Sequence, residues 1–418
     1  MPSARIESIV IGAGQAGLGV SRELVQRGVE HLVLEQGRIG QTWRSQRWDS
    51  FRLNTATWMN RLPGDPTPAE PGAFPSAPEF VVGLERYAFS QRLPVRDGVT
   101  VTAVEPDTTC DGLAVETGDG LIRARSVVVA SGARVPRVPS MASTLPRSVL
   151  QLHTADYRNA DGLPAGAVLV VGGAQSGVQI AEDLLDAGRD VYLATSPAGR
   201  LPRRYRGRDS FAWLVDDGFF DERRADGEAG PAPASPQISG ARGGQTLSYQ
   251  HLQRRGATLL GGVADVSGSR VRLCDDLPRN AAFADAASEA FRDRIDRHIA
   301  RLGAAAPPPQ PDPADEPYPT RSLPHGPNEL DLRRAGIATV IWATGFAADT
   351  RILPRPVVGE RGEIVQRDGA TALRGLFVAG QPWLRSRRSG TIYGVAADAP
   401  HIADLVARRV AGRERLAA

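Results

Sequence analysis

The chain has 418 residues, 41% hydrophobic and 23% charged, which is enough to build two or three ordinary globular domains. Fifty basic residues against 47 acidic ones give +3 with no basic tail, so a nucleic-acid partner is not expected; every basic residue is arginine, which excludes Schiff-base lysine chemistry and a P-loop lysine. No apolar run reaches the ~18 residues that cross a bilayer, and the N-terminus lacks the apolar stretch of a secretory signal, so the expectation is a cytoplasmic protein with no membrane partner.

In chain order, residues 6–11 read as a short buried strand. It runs into Gly12-Ala13-Gly14-Gln15-Ala16-Gly17 and a helix to about residue 26. Residues 31–34 form a second strand that ends at Glu35, and residues 127–129 are a β-branched run closing on Ala130-Ser131-Gly132. The pattern then repeats. Residues 168–171 run into Gly172-Gly173-Ala174-Gln175-Ser176-Gly177 and a helix to about residue 187, and residues 340–342 close on Ala343-Thr344-Gly345. Two such units predict an α/β protein with two doubly wound, Rossmann-like domains. A further strand at 376–378, ending in Ala379-Gly380-Gln381, comes after the second unit has closed. The simplest topology returns it to the first sheet. The domains are then 1–155 plus 355–418, with 156–354 inserted between them. The stretch 205–330 is irregular. It holds a Pro/Gly/Ala segment at 230–236, a proline run at 307–319, and Phe283, Phe291, Ile295, Ile299 and Leu302 near helical spacing. One amphipathic helix flanked by loops or a lid is expected there.

Each Gly-rich turn follows a strand and opens a helix, which is the context a dinucleotide needs. Gly12 permits the tight turn, Gly14 lets backbone approach a pyrophosphate, and Gly17 lets helix and strand pack closely. Glu35 stands where a carboxylate accepts hydrogen bonds from ribose hydroxyls. In the second turn Gly172, Gly173, Gln175, Ser176 and Gly177 are the counterparts, with Ala174 in place of the second glycine. No acid follows the next strand. Thr195 and Ser196 stand there, followed by Arg200, Arg203, Arg204, Arg206 and Arg208. Hydroxyls plus guanidinium groups suit the 2′-phosphate of NADPH, with Arg203 and Arg204 as candidates. With NADPH second, the first nucleotide is read as FAD, and Gln41, Trp43 and Arg44 lie beneath it. Ala130, Gly132, Thr344, Gly345, Gly380 and Gln381, at the strand ends, complete the cofactor set. Trp383, Arg385, Arg387 and Arg388 are candidates for the substrate face. Cys110 and Cys274 form no CxxC, and six scattered histidines form no metal box, so no metal is expected.

These motifs together resemble the flavin-containing monooxygenases, small soluble bacterial members of the class B flavoprotein monooxygenases. The resemblance is carried by GAGQAG at 12–17, GQTWR at 40–44, RLNTATWM at 52–59, ASG at 130–132, GGAQSG at 172–177 and ATGF at 343–346. It spans nearly the whole chain and is weakest at about 210–330. It implies that NADPH reduces FAD, that dioxygen adds to the reduced flavin as a C4a-(hydro)peroxyflavin, and that one oxygen atom passes to a small organic substrate. It also implies that Asn54, five residues before Met59, is the catalytic amide beside the reactive flavin. His153 and Tyr157 match the second half of the family's linker signature, whereas Arg147 and Val149 replace its aromatic residue and glycine. That assigns His153 to the domain junction, and Tyr157 tilts the expectation toward nitrogen or sulfur oxidation over Baeyer–Villiger insertion. The alternative is an NADPH:acceptor reductase that passes electrons to a partner protein; a nucleotide-binding regulator is a third reading. A homodimer is compatible with all three.

Overall fold

The computed structural model describes residues 5–224, 234–317 and 326–412. Residues 230–233 and 318–319 of the proline-containing stretches named above lie outside the described residues.

The chain opens with β1 (Arg5–Ile11), α1 (Gln15–Gln26) and β2 (His31–Leu34). α2 (Gln41–Ser45) is a short helix, and α3 (Ala77–Ser90) starts from a capping box between Ser76 and Glu79. β3 (Val95–Arg96), β4 (Val101–Pro106), β5 (Leu113–Thr117) and β6 (Gly120–Val129) complete a sheet of order β3-β2-β1-β6-β5-β4. β1 runs parallel to both β2 and β6, whereas β4, β5 and β6 form an antiparallel meander. Val127, Val128 and Val129 are fully buried. Such a run needs neighbours along both edges and cover on both faces. The late strand Leu376–Val378 supplies one edge, pairing parallel with β6 in the register Leu376 to Val127, as the returning-strand expectation requires.

β7 (Ala133–Pro136) leaves the first sheet and pairs antiparallel with Phe346–Ala348, so the outgoing and returning crossovers run side by side. The second sheet holds β8 (Leu150–His153), β9 (Ala167–Val171), β10 (Val191–Ala194), Thr258–Leu260 and Ile337–Trp342, all parallel, with α4 (Gln175–Asp186) between β9 and β10. β8 thus pairs in the second sheet, although it lies before the boundary at 155 drawn from sequence.

The irregular insertion is better organised than its composition suggests. α5 (Ser210–Asp216), α6 (Tyr249–Arg254) and α7 (Leu277–Leu302) are built into it, and Leu201, Tyr205, Trp213, Leu214, Ile238 and Ile295 form a separate buried cluster. The expected amphipathic helix is α7, and its buried face keeps part of the expected stripe: Ile295 is buried, with Phe291 and Ile299 packed against the same cluster. Phe283 and Leu302 are exposed, while Ala281, Ala284, Ser288, Ile295 and His298 face inward. Small residues let α7 approach the 200 loop, where its Asp285 pairs with the buried Arg200. α8 (Ile392–Val410) closes the first domain by packing on α1.

At the start of β2, His31 is buried between the Ser21 hydroxyl on α1 (2.7 Å) and the Val29 carbonyl (2.9 Å). Burial pushes its pKa below the ordinary 6.5, so the folded ring stays neutral. The unfolded chain binds that proton more readily, so stability is full above about pH 6.5 and falls as pH drops below it. Thermal unfolding from pH 7.5 to 5 is expected to show a loss of up to about 1.4 kcal/mol per pH unit from this residue. His31→Gln should flatten the slope; an unchanged slope would remove His31 from the acid response.

Candidate functional site

Two strand–turn–helix corners, one per sheet, carry the candidate site. Gly12 leaves β1 with φ of +105°, and α1 starts beyond Gly14 with no side-chain cap. A Cβ on Gly17 would stand 1.9 Å from the Gly12 carbonyl oxygen, so only glycine lets α1 sit this close to the turn. Nothing lies within 4 Å of where a Cβ on Gly14 would point. The first amides of α1 therefore border open space, part of a cavity of about 330 Å³. Glu35 braces the turn: its carboxylate accepts from the amides of Ala13 (2.8 Å) and Gly37 (3.0 Å).

The cavity wall brings together Gly12, Gly14, Gln15, Ala16, Glu35, Gln41, Trp43, Ala130, Gly132 and Gly380. Gly17 packs just behind it. Trp43 donates its indole N–H to Gln15 Oε1 at 2.9 Å, linking α2 to α1. Beside Gly380, Gln381 holds a buried Nε2 with no hydrogen-bond partner among the described residues. A buried unpaired donor costs about 1–3 kcal/mol unless a ligand accepts from it. The open space at Gly14 and the uncapped helix amides fit a dinucleotide, whereas Gln381 does not line the cavity.

Arg44 is a correction. It does not face the cavity: its guanidinium donates to the Ile39 carbonyl and pairs with Glu85 of α3 at 2.5 Å. Half-buried guanidinium groups go to carboxylates within reach, and α3 supplies one. Sequence reasoning missed Thr42, Arg47, Val99, Val101, Arg134 and Asp349, which also line the cavity. Arg47 lies two residues beyond the end of α2, where no helical spacing points to it.

The second corner repeats the geometry. Gly172 has φ of +117°, and a Cβ on Gly177 would stand 1.8 Å from the Gly172 carbonyl oxygen. Ala174 caps α4, and Gln175 and Ser176 in its first turn are half-buried. The amide of Gly12 bonds Leu34 and that of Gly172 bonds Ala194, so Thr195 occupies the position of Glu35. Thr195 nevertheless turns inward, donating to the Leu260 carbonyl at 2.8 Å and accepting from Asn280. That overturns its assignment to the cofactor: a threonine is short and its hydroxyl is satisfied in the core. Ser196 takes over the brace, its Oγ accepting from the Gly173 amide at 3.1 Å. Gly173 itself is pinned from below by the Tyr249 hydroxyl, which donates toward the carbonyls of Gly173 and Ser196.

The arginines expected to hold a 2′-phosphate are also corrected. Arg203 is buried, donates to the Asn54 carbonyl and pairs with Asp209. Arg204 donates to the carbonyls of Gly243 and Gly244, both at 2.9 Å. Arg200, Arg206 and Arg208 pair with Asp285 and Asp315, Asp296, and Asp216. Carboxylates of the insertion claim four of these five charges, and backbone carbonyls hold Arg204. Arg387 and Arg388 likewise pair with Glu222 and Asp221, tying the insertion to the loop after the returning strand. Thr344 donates to the Arg137 carbonyl, and the Gly345 carbonyl accepts from His153 at 3.0 Å, so both lie at the crossover.

Asn54 lies where the domains meet. It is absent from the wall of the first cavity. Its Oδ1 accepts from Gln179 of α4 at 2.7 Å, and Gln179 also reaches the Ile238 carbonyl. Nearby, the buried Tyr157 donates to Asp183 of α4 at 2.6 Å. His153 accepts from the Ala155 amide and stacks edge-on against Phe346, and burial lowers its pKa. Among the described residues no group of acidic, histidine and cysteine side chains could hold a metal, and no helix is long and apolar enough to cross a membrane.

Residues 9–207 match the family model described as pyridine nucleotide-disulphide oxidoreductase. The match covers 199 of the 418 residues. The oxidoreductase is 29% identical over 402 residues to an uncharacterized CzcO-like oxidoreductase of Geobacillus kaustophilus, covering 95% of this chain and 97% of that one. It is 31% identical over 208 residues to the rice indole-3-pyruvate monooxygenase YUCCA1, a match spanning 49% of this chain and 51% of that protein. Its fold is that of a flavin-containing monooxygenase from Stenotrophomonas maltophilia, with a TM-score of 0.65 at 19% identity over 96% of this chain and 98% of that one.

The two glycines of the first corner separate folding from binding. Gly17→Ala should cost about 1–3 kcal/mol of stability through the clash with the Gly12 carbonyl. Gly14→Ala should leave the melting temperature unchanged while weakening dinucleotide binding. Equal effects of the two substitutions on stability would contradict the geometry.

Proposed function

We propose that this oxidoreductase is an FAD-dependent monooxygenase that draws hydride from NADPH and transfers one oxygen atom of dioxygen to a small organic substrate. The observation that carries the reading is the first cavity, where an open Gly14 and uncapped α1 amides meet on one wall. The overlap with the indole-3-pyruvate monooxygenases and the lack of a CxxC pair favour oxygen transfer over dithiol reduction. We assign the substrate oxidation to nitrogen or sulfur, on the strength of Tyr157 at the linker.

Bound FAD would supply hydride acceptance and oxygen activation. The chain's own residues bind and orient. Gly12, Gly14, Gln15 and Ala16 at the α1 terminus hold the pyrophosphate, and Glu35 takes the ribose. In the second domain Gln175 and Ser176, at the start of α4, hold the pyrophosphate of NADPH. Asn54 keeps an amide N–H₂ free to donate, because its oxygen is occupied by Gln179. The paired charges of the 221–222 and 387–388 segments hold the insertion against the first domain, which limits water entry.

The decisive experiment is rapid mixing of anaerobically NADPH-reduced protein with oxygenated buffer. A transient absorbing species between reduced and oxidised flavin is expected. Direct reoxidation, together with fast electron transfer to a protein acceptor, would overturn the monooxygenase reading. Asn54→Ala and Gln179→Leu should each raise peroxide released per NADPH consumed by about fivefold, the equivalent of one hydrogen bond near 1 kcal/mol. Unchanged coupling in Asn54→Ala would remove that amide from the oxygen site.

A further inference from the structure

Pairing is the rule for arginine in this chain, even around the first cavity, where Arg134 meets Asp349 at 2.8 Å. Arg47 lines the same cavity and departs from the rule. Among the described residues its guanidinium meets no carboxylate, and its hydrogen bond runs from Nη1 to the carbonyl of the adjacent Gln46 at 2.7 Å. The guanidinium carbon stands 4.6 Å from the Trp43 ring centroid and 5.3 Å from that of Phe51. Beside it, Gln46 donates to the Arg134 carbonyl, while its Oε1 is buried with no partner. Desolvation pushes the Arg47 pKa down to about 10, which still leaves the group charged at neutral pH. A desolvated guanidinium is costly unless an anion compensates it, and ring stacking returns only part of that cost. The neighbouring Arg44 cannot take an anion here, because Glu85 already holds it.

We propose that Arg47 binds an anionic group of the dinucleotide held in the first cavity. The inference rests on reading that cavity as an FAD site. FAD offers two such groups: the pyrophosphate, and the pyrimidine edge of its ring once reduced. Trp43 and Phe51 hold the guanidinium as a fixed charge on the wall, so its effect is read as binding strength in the first case and as redox potential in the second.

The test compares full-length wild type with Arg47→Met, which keeps length and ring contact, and with Arg47→Lys, which keeps charge. FAD affinity is followed by flavin fluorescence on titrating apoprotein, and midpoint potential by equilibration with a reference dye. If the pyrophosphate is the partner, Arg47→Met weakens FAD binding about tenfold with an unchanged potential. If the reduced ring is the partner, binding of oxidised FAD holds and the potential drops by about 30 mV for each tenfold lost preference in a two-electron couple. Arg47→Lys restores most of either effect. Arg47→Gln serves the same comparison should Arg47→Met fail to fold. Unchanged affinity and potential in a folded, FAD-bound variant overturn the proposal and leave the FAD reading standing. Failure of the wild type to bind FAD overturns both.

Discussion

The contact between α1 and the Gly12 carbonyl, repeated between α4 and the Gly172 carbonyl, is the constraint on which the rest depends. With no side chain at Gly17 or Gly177, each helix can lean onto the turn that precedes it. That approach brings the uncapped amides of the helix start up against the C-terminal ends of the parallel strands. Everything else in the candidate site is placed relative to those amides. Glu35 and Ser196 brace the two turns by the same hydrogen bond, one with a carboxylate and one with a hydroxyl. The difference leaves the first corner anionic and the second neutral.

The two corners face one another through a junction built of side-chain pairs that cross between the domains. Asn54 meets Gln179, Arg203 meets the Asn54 backbone, and Ser50 meets Asp183. Two of these three contacts are made by α4, the helix whose first turn belongs to the second corner. A shift of α4 on occupation of that corner would therefore move the Asn54 amide. His153, lodged between the Gly345 carbonyl and the Phe346 ring, holds the crossover between the two sheets.

A chain without lysine must do all its cationic work with guanidinium groups, which form directional pairs and tolerate burial. Most arginines near the site are thereby neutralised by carboxylates of the insertion or of α3. Arg203 belongs to that majority, whereas Arg204 donates to backbone carbonyls and Arg47 to the Gln46 carbonyl. An arginine-rich segment in the sequence is consequently a poor guide to where positive charge is available for a ligand.

The sequence by itself determined the α/β class, both Gly-rich corners and the return of Leu376–Val378 to the first sheet. These follow from local rules: buried β-branched runs need two neighbours, and glycine spacing reports the close approach of helix to strand. Ten of the residues chosen for the first cofactor, Gly12 to Ala16 and Glu35 among them, line one cavity for the same reason. Only the tertiary structure decided which charges stay unpaired, that Thr195 turns into the core, that Asn54 belongs to the junction, and which face α7 buries. Three of those four outcomes depend on a partner more than 60 residues away: Leu260 for Thr195, Gln179 for Asn54, and Arg200 for the face of α7 that carries Asp285. Spacing along the chain carries no record of such partners, because long-range hydrogen bonds and ion pairs are selected by packing and desolvation after the layers have met.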